Sequence, residues 1–389
     1  AGCLAECYHT IRDLGMNVLI APDKFKGTLT AVQVCAAIER GLKAAHADLN
    51  IRKFPLADGG EGTLQIFQWH TEAKPKEVAV HDPLMRPILA SYLISKDGST
   101  AFIEMAQASG LGLLAVSERN PLLTSTFGTG ELIKDALDCN VEKILLGIGG
   151  SATNDGGLGA FVALGGKVYR NEHQLAPVGQ SLCLLTDIDS AGLHRRLKEC
   201  TLTAICDVKN PFYGKRGAAH VYAAQKGADL AMIKTLDRGL QHLARIIEKK
   251  TTINLQQVAG AGAGGGLGGG AYSLLNASLK PGTDVVFELT QLKLAMDWAD
   301  IVITGEGKLD RQTLQGKLVA GVAAAARNAG KPMVAVCGVN ELTEVQAESA
   351  FIPAVFSMVA FAGQQQALTN SEGVLEKLAA HVLSKAILN

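Results

Sequence analysis

Short apolar runs, each followed by turn residues and then by a stretch with apolar positions three and four apart, recur along the chain. This alternation of a strand period with a helix period predicts parallel sheets covered by helices, an α/β class. Residues 18–21 (Val-Leu-Ile-Ala) read as a buried strand, residues 30–45 as a helix capped by Thr30, and residues 51–55 as the next strand. The far end has the same pattern: a strand at 301–303, a helix at 316–329 stopped by Gly330-Lys331-Pro332, a strand at 333–336 and a closing helix at 374–388. Between them, short strands at 77–80, 88–94 and 101–104 are joined by the turn signals Asp82-Pro83 and Asp97-Gly98, a more antiparallel pattern that suggests an inserted domain. A strand–loop–helix at 143–164 and a long helix at 230–250 add parallel character there. No fixed-period repeat occurs, and residues 1–15, which precede Met16 and the first strand, read as an extension outside the fold.

The 389 residues are 48% apolar, enough to build cores for two or three domains. Lys plus Arg and Asp plus Glu are both 37, which argues against nucleic acid or an anionic membrane held by bulk charge. No apolar stretch approaches the roughly 18 residues of a spanning helix, and no export signal opens the chain. Eight scattered cysteines, without a Cys-x-x-Cys pair or a histidine at zinc spacing, fit reduced thiols in a cytoplasm. Glycine, at 43 positions, exceeds its ordinary share of ~7% and calls for a structural reason.

Candidate chemistry sits where strands end. Segment 143–157 runs from an apolar strand into Gly147-Ile-Gly-Gly-Ser-Ala-Thr-Asn-Asp155. It reads either as a turn presenting N–H groups to a phosphate or carboxylate, with Asp155 as a usable carboxylate, or as a crossover whose glycines permit tight packing. Its partial dinucleotide fingerprint lacks an acidic residue at a clear strand end. The glycine run 259–271 either lets a ligand approach the backbone or serves as a hinge or packing site. The strand at 301–303 is expected to deliver Thr304, Glu306, Lys308 and Asp310 into one loop, where two carboxylates and a lysine suit magnesium and a phosphate. Loops 21–27 and 55–62 end adjacent strands. Their Asp23, Lys24, Lys26, Asp58 and Glu61 would cluster, suited to gripping an anion and taking a proton from its hydroxyl. Lys209, Lys215 and Arg216 could steady phosphates or simply be solvated.

Gly-x4-Gly-Lys-[Ser/Thr], His-Glu-x-x-His, Gly-x-Ser-x-Gly and protein-kinase signatures are absent. By themselves the residues lead to an enzyme acting on a phosphate or another small anion. A nonenzymatic nucleotide or metabolite sensor is the alternative, disfavoured because a sensor gains nothing from carboxylates beside lysines at a hydroxyl.

As a set, the motifs resemble the bacterial glycerate kinase family. The stretches that carry the resemblance are APDKFKGTLTA (21–31), PLADGGEGT (55–63), DPLMRP (82–87), IEMAQASGL (103–111), NPLLTSTFGTGELI (120–133), GIGGSATNDGG (147–157), DVKNPFYGKRGAA (207–219) and ADIVITGEGKLDRQTLQGK (299–317). Two positions depart from it: Lys24 stands where many relatives carry Ser, and Tyr222-Ala-Ala where Phe-Gly-Pro is usual. The resemblance implies a Rossmann- or flavodoxin-like parallel sheet built from both chain ends (16–70 and 285–389), with an inserted α/β domain of mixed sheet (71–284); the 143–165 segment could belong to either. It also implies ATP-dependent phosphorylation of D-glycerate to 2-phosphoglycerate in organic acid catabolism, with a kinase for another small hydroxy acid or polyol as the other enzyme to consider.

On that basis Lys26, Asp58 and Asp155 are candidate catalytic groups, and Asp23, Lys24, Glu61 and Arg86 candidate contacts to glycerate. Gly149, Gly150, Ser151, Thr153, Asn154 and Lys308 are placed at ATP, and Asp155, Glu306 and Asp310 at Mg2+. Association into a homodimer stays open.

Overall fold

A computed structural model describes residues 15–59, 62–311, 313–315 and 318–388. They form two compact units, residues 15–69 with 283–388 and residues 70–282. Residues 1–14, expected as an extension, lie outside the described residues.

In the first unit, five strands lie in the order Val355–Ser357, Met333–Asn340, Ile301–Leu309, Asn17–Ile20 and Asn50–Lys53, with every neighbouring pair parallel. Counted along the chain, this is the 2-1-3-4-5 order of flavodoxin-like sheets, whose topological switch point lies between the first strand and the third. Alternate strand residues face opposite layers. Val18, Ile20, Ile301, Ile303, Val334 and Val336 pack with the helices Ala31–Ala45 and Ser371–Leu378. Leu19, Val302, Ala335 and Cys337 pack with Leu292–Trp298 and Leu318–Asn328. Burial on both faces is why these strands read as unbroken apolar runs. Val18, Leu19 and Ile20 are wholly buried, each worth about 1.5–3 kcal/mol. The cap expected at Thr30 is present, and Gln33 completes it as a capping box.

Two expectations need correction here. The strand Ile301–Leu309 does not give way to a loop after residue 303, because Met333–Asn340 keeps pairing with it to Lys308↔Val339 and Leu309↔Asn340. Thr304, Glu306 and Lys308 therefore stand on strand, on one face, and only Asp310 lies beyond its end. The closing helix begins at Ser371 and contains a π-helical turn, Ala379–Leu383.

The second unit has a six-stranded mixed sheet in the order Ser278–Lys280, Thr201–Ile205, Lys143–Gly147, Thr100–Glu104, Pro87–Ile94 and Lys74–His81. The last two pairings in this order are antiparallel and the other three parallel. The 143–164 segment supplies the strand Lys143–Gly147 and the helix Leu158–Ala163 of this unit. A small antiparallel sheet of His173–Gln174, Lys167–Arg170 and Asp187–Asp189, too short and polar to stand out in the hydrophobic pattern, is added to it. No helix among the described residues is long and apolar enough to cross a membrane.

Candidate functional site

The first cluster forms at the carboxyl edge of the parallel sheet. Past Ile20 the chain stays beside its neighbour: the Ala21 N–H donates to the Ile303 carbonyl (2.7 Å), the Asp23 N–H to the Gly305 carbonyl (2.8 Å), and the Leu56 N–H to the Pro22 carbonyl (2.9 Å). Loops 21–26 and 54–58 and the end of strand Ile301–Leu309 thus lie side by side at the switch point, where open α/β sheets take ligands. Gly307 permits this: a Cβ there would lie 2.9 Å from the Lys26 backbone nitrogen. Asp23 is 6% exposed, and its Oδ1 accepts the Lys24 N–H at 2.7 Å. Burial, then the Asp58 carboxylate, push its carboxyl up to about 7; Glu306 adds to the rise, while the Lys24 N–H and ammonium oppose it. A cavity of about 240 Å³ opens here, lined by Asp23, Lys24, Lys26, Thr28, Gln33 and Gln65 among others.

Along the same edge, the Thr313 hydroxyl donates to Glu306 Oε1 (2.7 Å) and accepts the Asp310 N–H (3.1 Å), tying the two carboxylate-bearing residues together. Lys308 is half exposed and pairs with Glu341 at 2.9 Å and, more loosely, with Asp310 at 3.9 Å. Of the residues expected in this cluster, Glu61 lies outside the described residues.

The second cluster belongs to the second unit. Backbone bonds pin the turn after strand Lys143–Gly147 to the 105–111 segment: the Met105 N–H donates to Gly147, the Leu111 N–H to Gly150 and the Ala152 N–H to Ser109. Gly149 and Gly150 are exposed, and the N–H groups of Gly149, Gly150 and Ser151 have no protein acceptor among the described residues. Successive N–H groups of that kind make an anion-binding concavity.

Beyond Ser151 the turn goes inside. Thr153, Asn154 and Asp155 are fully buried, so the nucleotide contacts expected of the Thr153 and Asn154 side chains are not offered at the surface. Asp155 is corrected more strongly. Its Oδ2 accepts the Thr126 N–H and hydroxyl (2.8 Å each) and the Gly159 N–H (3.0 Å), and its Oδ1 accepts the Gly157 N–H (3.1 Å). With its oxygens engaged in this way it holds the start of helix Leu158–Ala163, and neither the base nor the metal role anticipated for it fits. Burial raises its pKa against the pull of those donors.

Lys226, not among the candidate residues above, is 1% exposed, and its Nζ donates to Ser151 Oγ (2.6 Å) and to the Thr153 carbonyl (2.7 Å). Its only signal in the sequence is a lysine beside glycine in the Gln225-Lys-Gly-Ala228 stretch.

The glycine run 259–271 resolves as a packing device. Gly265 has φ +71, and a Cβ on it would lie 1.9 Å from the Thr153 carbonyl oxygen; its own carbonyl accepts the Gly156 N–H at 3.2 Å. The run therefore forms the wall against which the 153–157 turn folds. Gly265→Ala combines a left-handed residue, costing about 1–2 kcal/mol, with overpacking worth about 1–3 kcal/mol. The expected loss of roughly 2–5 kcal/mol can be read in a urea melt, and a variant as stable as wild type would contradict the assignment.

Arg86, expected at the substrate carboxylate, is already committed: its Nε pairs with Asp82 (2.5 Å) and its guanidinium with Glu118 (2.7 Å), both of which raise its pKa. Lys209, Lys215 and Arg216 are exposed. Among the described residues no group of three or more His, Cys, Asp or Glu is arranged to hold a metal.

The profile of the glycerate kinase family matches residues 18–386. Bacillus subtilis glycerate kinase is 44% identical over 345 residues, 88% of this chain and 90% of its own. Escherichia coli glycerate 2-kinase is 44% identical over 324 residues, 83% and 85% of the two chains. A solved structure from Salmonella typhimurium LT2, provisionally named glycerate kinase 2, superposes with a TM-score of 0.86 at 39% identity, covering 96% of this chain and 98% of that one. Near full-length agreement in both sequence and fold leads to one conclusion: the chain belongs to the glycerate kinase family.

Proposed function

We propose that the protein transfers the γ-phosphoryl group of ATP to the 2-hydroxyl of D-glycerate, giving 2-phosphoglycerate for organic acid catabolism. The observation that carries this is Asp23, a nearly buried carboxyl whose pKa is pushed up to about 7, beside Lys24 and Lys26 at a small cavity. Lys24 and Lys26 meet the substrate carboxylate, and Asp23 accepts the hydroxyl proton, its proton affinity raised by burial and then by Asp58. Lys24, where many relatives carry a hydroxyl, supplies charge in its place. In the second unit the N–H groups of Gly149, Gly150 and Ser151 offer a row suited to phosphate oxygens, and in the first unit Lys308 offers a cation.

Magnesium is implied by this chemistry, and it needs only one or two carboxylates, with phosphate oxygens and water completing its shell. Glu306 and Asp310, joined through Thr313, fit that demand. Bound there, the ion would supply positive charge to phosphate oxygens.

A coupled ADP-release assay with Mg-ATP and D-glycerate tests the reading, with L-glycerate and glycolate as controls and phosphorus NMR on the product. Turnover to 2-phosphoglycerate is expected. Silence on D-glycerate with turnover of another hydroxy acid would replace the substrate, and binding without turnover on any of them would move the protein to the sensor class.

A further inference from the structure

Lys226 carries a buried amino group that the proposed chemistry does not use. Taking such a group out of water is expensive, and proteins keep one where its charge is paired and hydrogen-bonded. Burial pushes it down to about 7, with Asp155 opposing. Its bonds to Ser151 Oγ (2.6 Å) and the Thr153 carbonyl (2.7 Å) span the bend at which the turn passes from exposed Gly149 and Gly150 to buried Thr153.

A serine hydroxyl has one proton to donate. Because Ser151 Oγ accepts from Lys226, that proton is left to donate elsewhere, and accepting one hydrogen bond strengthens a hydroxyl as donor of the next. Ser151 is 8% exposed, its backbone is fixed by the bridge to Gly110, and its own N–H continues the row begun by Gly149 and Gly150.

We propose that Lys226 is a positioning residue that acts through Ser151, orienting and polarising its hydroxyl as a donor to a nucleotide phosphate held on the Gly149–Gly150–Ser151 N–H groups. The proposal rests on the reading of this turn as the phosphate site. Lys226 itself touches no phosphate, so its whole effect on the nucleotide should vanish when the Ser151 oxygen is removed.

The test uses the full chain as wild type, Ser151→Ala, Lys226→Met and the double variant. Binding of a nonhydrolysable ATP analogue and of adenosine is measured by calorimetry, alongside D-glycerate turnover. A hydrogen bond to a charged acceptor predicts that each single variant loses about ten- to a hundredfold in affinity for the analogue, with adenosine affinity unchanged. The double variant should be no weaker than the weaker single one. A merely structural lysine would instead reduce the fraction of active protein and the melting temperature while leaving the affinity of the folded remainder as it was. Ser151→Ala removes one oxygen only, so it carries the test if Lys226→Met does not fold.

Wild-type affinity for the analogue in Ser151→Ala overturns the proposal, as does multiplicative loss in the double variant. Failure of the wild type to turn over D-glycerate while binding the analogue overturns the substrate reading and leaves this one standing. Failure of the wild type to bind the analogue overturns both.

Discussion

Replacing Asp23 by Asn is expected to lower kcat by about 10²–10⁴-fold, the usual contribution of a positioned general base. The amide keeps the shape of the side chain and an oxygen for the Lys24 N–H, so the loss isolates proton acceptance from packing. In the wild type, kcat/KM should climb as pH rises through about 7, where Asp23 gives up its proton, and then level off. The variant should lose that rise. Stability runs the other way. Folded Asp23 holds its proton up to about 7 against an ordinary value of 3.8, so its contribution to stability is complete below the unfolded value and is lost as pH rises through the folded one. Across pH 6 to 8 the protein should therefore gain activity while losing a little stability. A variant within about threefold of wild-type kcat, well short of the range for a general base, or one that keeps the rise, would remove Asp23 from the mechanism.

Asp155→Ala should leave little folded protein. The substitution strands the N–H groups of Thr126, Gly157 and Gly159 and the Thr126 hydroxyl, and it removes an opposite charge that acts on Lys226. Each buried donor left without an acceptor costs about 1–3 kcal/mol, and four together approach the whole stability of a domain, roughly 5–15 kcal/mol. Expression, near-UV circular dichroism and a thermal melt check this. A variant that melts like wild type but has lost turnover would restore Asp155 to the catalytic group.

The contrast between these two aspartates shows what could be read from sequence. Asp23, Lys24, Lys26 and Asp58 were legible because adjacent parallel strands must end at one edge, and the hydrophobic runs located those strands. Asp155 looked like a ligand because it follows glycines and hydroxyls, whereas its role depends on Thr126, 29 positions earlier. Lys226 was hidden for the same reason: its burial comes from a turn 75 positions away. Arg86 read as a contact to glycerate, and one of the partners that already hold it, Glu118, is 32 positions distant. The segment after residue 303 was expected as a loop, yet the pairing partner Met333–Asn340 holds it in the sheet. Periodicity reports which face of an element is buried, and side-chain partners across the fold lie beyond its reach.

The pairing of strand Asn17–Ile20 with Ile301–Leu309 joins residues 283 positions apart. During synthesis the first strand leaves the ribosome long before the strand that pairs with it on one side. Residues 70–282, contiguous in the chain, can meanwhile complete their own core. Domains generally fold as units in order of emergence, and closing so long a loop is slow while it remains flexible. A folded insertion shortens the effective loop to the distance between its own ends, so the early folding of the inserted unit becomes a kinetic aid to the sheet that carries Asp23.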